Sequence, residues 1–263
     1  MNNSGNTVNN GDTTNNGDTT SNGDATNNNS TSNNNSATNA TADAVKLLNT
    51  ATAKVAKGNY KWERKCYLTN PIDVGNATDT LNGIIHRVDE NASLDSVVGG
   101  FLGVTGGPND PAWTADVKGG KLPADTKMNN EKYLMKAFAL TEADVTNCQV
   151  NGNTYTLTLK NCSNPQKDGS NALHHVTNDF ITLSEVQEGV ANALGSFGSL
   201  LKVESTDVQF SKVTVVAEVD NGNLKSVQIS YFMDVASLNL KATLAPITGK
   251  GAGNVECKYS NFS

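Results

Sequence analysis

Three histidines, four cysteines and two tryptophans in 263 residues leave few of the side chains that reaction chemistry usually draws on. The cysteines, Cys66, Cys148, Cys162 and Cys257, make no C-x-x-C pair, which argues against a zinc ribbon or a thioredoxin-like site. There is no G-x-S-x-G elbow and no H-E-x-x-H. Gly99-Gly100 is followed by no Lys-Ser/Thr and belongs to no G-x-G-x-x-G, so it resembles no phosphate loop. No apolar run approaches the roughly 20 residues that a membrane-spanning helix needs. No basic stripe and no aromatic-plus-basic motif is present, which disfavours DNA or RNA as a partner. No catalytic, cofactor-binding or metal-binding residue is assigned from this inventory, and the identity of any ligand-binding residues stays open.

What the chain has in abundance is a polar leader. Residues 1–40 are Asn, Thr, Ser, Gly and Asp with almost nothing apolar, and the run from Asn9 to Thr14 recurs from Asn15 to Thr20. Such a stretch cannot bury enough apolar area to offset its ordering entropy and reads as a disordered tether. Asp12, Asp18 and Asp24 recur every six residues. They lack the glycine-rich pattern and the apolar position of a calcium-binding β-helix repeat, so they read as solvated charge. At about 5–6 Å times the square root of length, the tether has a typical span of about 35 Å. No basic segment followed by an apolar one comes after Met1, so the expectation is that a targeting segment lies outside this sequence. Three of the 26 acidic residues fall in the leader, leaving the remainder with 20 basic against 23 acidic residues.

Residues 41–263 read as one domain. Its last part, 211–263, is an antiparallel meander of three or four strands. Val213, Val215, Ala217 and Val219 alternate with polar or outward residues, and Asp220-Asn221-Gly222-Asn223 supplies the positive φ values of a tight hairpin. Val227, Ile229 and Tyr231 mark the return strand. Leu238, Leu240, Ala242 and Leu244 form a further run, and Val255, Cys257 and Tyr259 the last. Pro246 and the glycines at 249, 251 and 253 read as breaks between them.

Upstream, 41–57 reads as a helix capped by Thr41, with Val45, Leu48, Thr52 and Val55 on one face. Residues 59–69 read as a strand with Tyr60, Trp62, Cys66 and Leu68 inward, and Arg64 as a snorkelling or edge residue on that face. Ser93 caps a short helix carrying Leu94, Val97, Val98, Phe101 and Leu102, a cover for the sheet or a lid over a groove. Residues 105–131 read as a long loop that holds Trp113. Residues 134–140 alternate as a strand, 141–145 make a helical turn, and 146–161 form a hairpin around Asn151-Gly152-Asn153. Thr182-Leu183-Ser184-Glu185 is a capping box for a helix with Val186, Val190, Ala193 and Leu194 on one side, ending near Gly195.

His174 and His175 lie in an irregular segment with Asp179 nearby. In a strand they point to opposite faces and share no metal; in a loop a metal pair is conceivable, but a hydrogen-bonded loop role is the plainer reading. Four cysteines in an exported domain allow three disulfide connectivities: Cys148 and Cys162 flank one hairpin and are nearest, though offset unevenly about Gly152, Cys66 and Cys257 are possible strand neighbours, and free buried thiols are the alternative.

Asn82-Gly83-Ile84-Ile85, the run from Asn91 to Gly103, Leu140 to Val145, His175 to Phe180 and Tyr259 to Phe262 resemble segments of clostridial-type surface lipoproteins of Gram-positive Firmicutes. The likeness covers most of the body, and the leader is similar too. The element order also resembles lipoprotein-carrier folds of the LolA, LppX and LprG type: an N-terminal helix, then an antiparallel half-barrel with helices in its concave side. That resemblance implies an apolar groove for a lipid or other amphiphile and brings no site residues with it. It also implies an extracellular domain tethered to the outer face of the cell membrane through an anchor that this sequence does not contain.

The expected fold is therefore α+β: a curved antiparallel sheet covered by an N-terminal helix and one or two further helices. The expected function is non-catalytic binding of a hydrophobic or amphiphilic ligand between sheet and helices by a monomer, with no cofactor. One alternative is a surface module for protein or glycan, which needs an exposed aromatic or apolar patch. The other is a hydrolase, which needs carboxylates or His174/His175 to converge in a cleft.

Overall fold

The computed structural model describes residues 31–124, 130–167, 169–194, 201–242 and 246–263. Residues 1–30 of the expected 1–40 tether, the helix end near Gly195 and positions 243–244 lie outside them, whereas 31–40 belong to a helix. The elements are α1 (Thr31–Val55), β1 (Tyr60–Asp73), α2 (Thr78–Ile85), α3 (Leu94–Leu102), β2 (Trp113–Val117), β3 (Val145–Asn151), β4 (Thr154–Leu159), β5 (Cys162–Ser163), α4 (Leu183–Leu194), β6 (Leu201–Asp220), β7 (Asn223–Ala242) and β8 (Pro246–Ser260). The strands form one open, curved antiparallel sheet in the order β2-β1-β8-β7-β6-β4-β3, with β5 pairing beside β4 on β6.

The meander is built of long strands joined by tight turns. Asn221 (φ 50°) and Gly222 (φ 74°) make the hairpin between β6 and β7, where both central residues need the left-handed region. The two runs read separately at 227–231 and 238–242 belong to one 20-residue strand, β7. Nor do Pro246 and the glycines break the chain, because β8 runs through all of them. Pro246 sits at the first position of its strand, where its missing N–H is tolerated. The glycines admit neighbours instead: a Cβ at Gly253 would lie 2.9 Å from the Tyr67 carbonyl oxygen. Register shifts after Val203, Asp207, Ser211 and Val235 bend β6 and β7, and Lys212 takes φ 54° at one of them.

One face of the sheet carries the core. A row of paired residues, Leu157–Val215–Ile229–Cys257–Arg64, crosses five strands, and all five are essentially inaccessible to water. Helix α1 lays Ala44, Val45, Leu48, Ala51 and Thr52 over this face, a stripe at helical spacing. It begins ten residues before the cap expected at Thr41; a buried helical stripe already nucleated lets further turns propagate.

Two upstream expectations are corrected. Residues 134–140 form no strand. They run as a buried strap whose backbone donors are met by side chains: Met135 N–H donates to the Tyr60 hydroxyl (3.0 Å), Phe138 N–H to Thr52 Oγ1 (2.9 Å) and Leu140 N–H to Asn49 Oδ1 (3.0 Å). Their apolar alternation slips: Tyr133, Met135, Phe138 and Leu140 are the buried residues. Residues 105–131 are not one loop, because 113–117 pair with β1 as the edge strand β2, with Trp113 opposite Arg64. The helix α2, which buries Leu81 and Ile85, had no sequence expectation. Ser93 caps α3 through Ser96 N–H, Gly103 closes it at φ 65°, and Thr182 and Glu185 form the expected box before α4.

Candidate functional site

Beyond the packed core the same sheet face opens into an apolar slot. Val97, Val98 and Leu102 of α3 and Val186 and Gly189 of α4 form one wall. Val208, Met233, Val235 and Leu238 of β6 and β7, the 249–252 segment of β8, and Leu68 and Ile72 of β1 form the other. The space it encloses is about 80 Å³; the figure reaches about 740 Å³ only when the solvent at its open side is counted. Among the described residues Thr206 and Lys250 are its only polar side chains. Along β8 the slot is bordered by glycines: Gly249 pairs with Leu238, and Gly251 with Val235. A second, polar recess lined by Asn164, Gln166 and Ser205 adjoins it, sharing Ile181, Thr206 and Val208. Apolar slot and polar recess thus share three wall residues.

A buried ion pair fixes the slot's back wall. Arg64, expected at the surface, is 1% exposed. Its Nε donates to Asp179 Oδ2 at 2.8 Å and its Nη2 to Oδ1 at 3.2 Å. The remaining donors reach the carbonyls of Leu102 and Gly103 at the end of α3. The Tyr133 ring lies beneath the guanidinium, 4.4 Å from its centroid. Burial by itself would lower the Arg64 pKa, but the Asp179 carboxylate outweighs it and holds the cation. Tyr231 donates its hydroxyl to the Asp179 carbonyl, and Cys257 sits 3.2 Å from Asp179 Oδ2. One residue of β1 therefore ties the end of α3 and the segment before α4 to the sheet.

The cysteines are free thiols: Cys66 pairs with Val255 and Cys257 with Arg64, so the two lie two rows apart on β1 and β8. Burial pushes the Cys66 and Cys162 thiols up to about 11 each.

The two histidines go to different places. His174 lies on a polar groove with Lys132, Lys167, Glu185 and Glu188, and its ring meets Phe180 edge-on. His175 lies between Asp144 and Ser170: Nδ1 is 2.8 Å from Asp144 Oδ2, and Nε2 is 2.8 Å from Ser170 Oγ. Asp179 is not near them in function; it belongs to Arg64. Among the described residues no three of His, Cys, Asp and Glu are grouped to hold a metal ion.

The sequence reading missed Asp144, Ser170 and the partnership of Arg64 with Asp179. The signal available for the last was a lone arginine on an otherwise apolar strand face, which requires a buried carboxylate somewhere. No protein-family model, no curated protein and no solved structure matches the chain.

Proposed function

We propose that the domain binds a hydrophobic or amphiphilic molecule in the slot between the sheet and helices α3 and α4. The observation that carries this reading is the slot's composition: among the described residues Thr206 and Lys250 are the only polar side chains in an otherwise apolar lining. Ligand sites are concave and mostly apolar with a few polar groups that orient the ligand. Each buried methylene contributes about 0.8 kcal/mol. The adjoining recess, with Asn164, Gln166 and Ser205, suits the polar end of such a molecule. An exported, membrane-tethered setting, as the leader and the lipoprotein resemblance imply, belongs to the same proposal.

The alternative of a surface module for protein or glycan draws less support. Among the described residues the exposed large apolar side chains are Val88, Val150 and Val216, single residues on different elements. Isolated apolar residues of this kind are ordinary surface.

The test is native mass spectrometry of the full chain produced in its own host, before and after organic extraction, with N-phenyl-1-naphthylamine binding as the second readout. The expected result is an added lipid-like mass that extraction removes, and a naphthylamine signal that Val235→Trp abolishes without lowering the melting temperature. A bare mass together with no naphthylamine binding overturns the proposal. So does binding that Val235→Trp leaves unchanged.

A further inference from the structure

We infer that Ser170, His175 and Asp144 form a nucleophile–base–orienter relay that hydrolyses small carboxylic esters. This activity is separate from the slot and does not rest on the ligand-binding reading.

The inference starts from hydrogen-bond direction. An ionised carboxylate only accepts, so His175 Nδ1 carries the proton in its 2.8 Å contact with Asp144 Oδ2. Nε2 of the neutral ring is then an acceptor, and the Ser170 hydroxyl, 2.8 Å away, donates to it. This is the tautomer and the direction that general-base activation of a serine requires, and such relays recur on unrelated folds in differing chain order.

The orienting carboxylate is itself held. Thr141 donates to Asp144 Oδ2 with its backbone N–H at 2.7 Å and its hydroxyl at 2.8 Å. Burial would raise the Asp144 pKa, but these bonds together with that from His175 hold its carboxyl below the usual range. The His175 backbone is pinned as well, its carbonyl accepting from Ala139 N–H at 2.9 Å and its own N–H donating to the Asn171 carbonyl. Ser170 is exposed, whereas His175 and Asp144 are 18% and 11% exposed at their side chains. The nucleophile thus faces solvent and the two groups behind it do not. The backbone N–H of Asn171, next after the nucleophile, has no acceptor among the described residues. In hydrolase elbows the N–H at that position is one of the oxyanion donors.

In the proposed step Ser170 Oγ attacks the ester carbonyl carbon as its proton passes to His175 Nε2. The carbon–alkoxide bond breaks, and the leaving alkoxide takes that proton. Water then attacks the acyl carbon and gives a proton to His175. Oγ departs and recovers the proton, so acid and alcohol leave and the protein is unchanged. Asp144 touches no substrate; it is a positioning residue that fixes the ring. The open setting of Ser170 limits the substrate to small, activated esters.

The experiment treats the full chain with an alkyl fluorophosphonate, which forms an Oγ–phosphorus bond as fluoride leaves, and maps the adduct by peptide mass spectrometry. A single adduct on Ser170 is expected. Ser170→Ala should remove it and, at an exposed position, keep the parent's thermal melt. His175→Ala should slow labelling by about 100-fold or more, the usual range for losing a general base. Asp144→Asn should slow it and displace its pH profile, which a residue of merely structural importance would not do. Hydrolysis of p-nitrophenyl acetate should follow the same order. If Ser170 stays unlabelled under conditions that saturate a known serine hydrolase, the relay is a loop staple and the proposal fails. It fails equally if His175→Ala labels at the parent's rate. Should His175→Ala not fold, the parent's labelling of Ser170 and the pH profile of Asp144→Asn decide the question.

Discussion

Strands β6, β7 and β8 run unbroken through two regions that pack in opposite ways. At one end the paired rows read Val215–Ile229–Cys257 and Ala217–Val227–Tyr259, every member at most 1% exposed beneath α1 and the 134–140 strap. At the other end the rows read Val208–Val235–Gly251 and Thr206–Leu238–Gly249. Hydrogen-bonded pairing continues through both. The difference lies in side-chain volume on β8 and in the bulges after Asp207 and Val235, which bend the strands away from the regular stack. A single backbone ladder can hold a filled core and an open slot when one strand changes from cysteine and tyrosine to glycine.

The ion pair at the boundary gives the largest expected effect. Arg64→Leu leaves the Asp179 carboxyl buried without its partner, and removing one partner of a buried pair costs about 3–5 kcal/mol. Urea unfolding should show that loss in both regions at once. A small loss confined to α3 would mean that the two ends are independent. Next comes a matched truncation. Ile229→Ala in the filled end should cost about 2–5 kcal/mol, whereas Leu238→Ala, half-exposed on the slot wall, should cost less than about 1 kcal/mol because it leaves no sealed cavity. Equal losses would erase the distinction between core and slot.

Thiol chemistry sharpens the same contrast. Cys66, with its thiol pushed up to about 11 by burial, stays neutral at pH 8, and its thiolate accumulates only as pH approaches that value. Iodoacetamide at pH 8 should therefore modify half-buried Cys148 well before Cys66, and rapid modification of Cys66 in the folded protein would mean that the filled end opens readily. The smallest effect belongs to Tyr133→Phe. The Tyr133 hydroxyl is buried without a hydrogen-bond partner among the described residues, so removing it should change stability by less than about 1 kcal/mol, in the stabilising direction.

The meander was readable because alternation of period two and the Asn221-Gly222 turn are local signals. So were the caps at Ser93 and Thr182, where two short-range hydrogen bonds settle the matter. Residues 134–140 misled because alternation records a half-buried extended chain, not what meets its N–H groups; here Asn49, Thr52 and Tyr60 meet them from other elements. Gly249 and Gly251 read as breaks because glycine in isolation signals a turn, whereas in β8 it leaves room for Val74 and Ile72. The partners of Arg64 and His175 lie 115 and 31 residues away along the chain, and no periodicity reports on contacts of that range. The slot itself was only implied by a resemblance, since a void is a property of several elements together.

The attachment of α3 has a mechanical corollary. Its C-terminal carbonyls are gripped by the guanidinium of Arg64, while its N-terminal end is held by the Asn82 side chain on the Leu94 N–H and by Asp95 on the Ile72 N–H, contacts near the surface. The two ends of α3 are therefore anchored unequally: a buried cation grips the end at Gly103, and hydrogen bonds nearer the surface hold the end at Ser93.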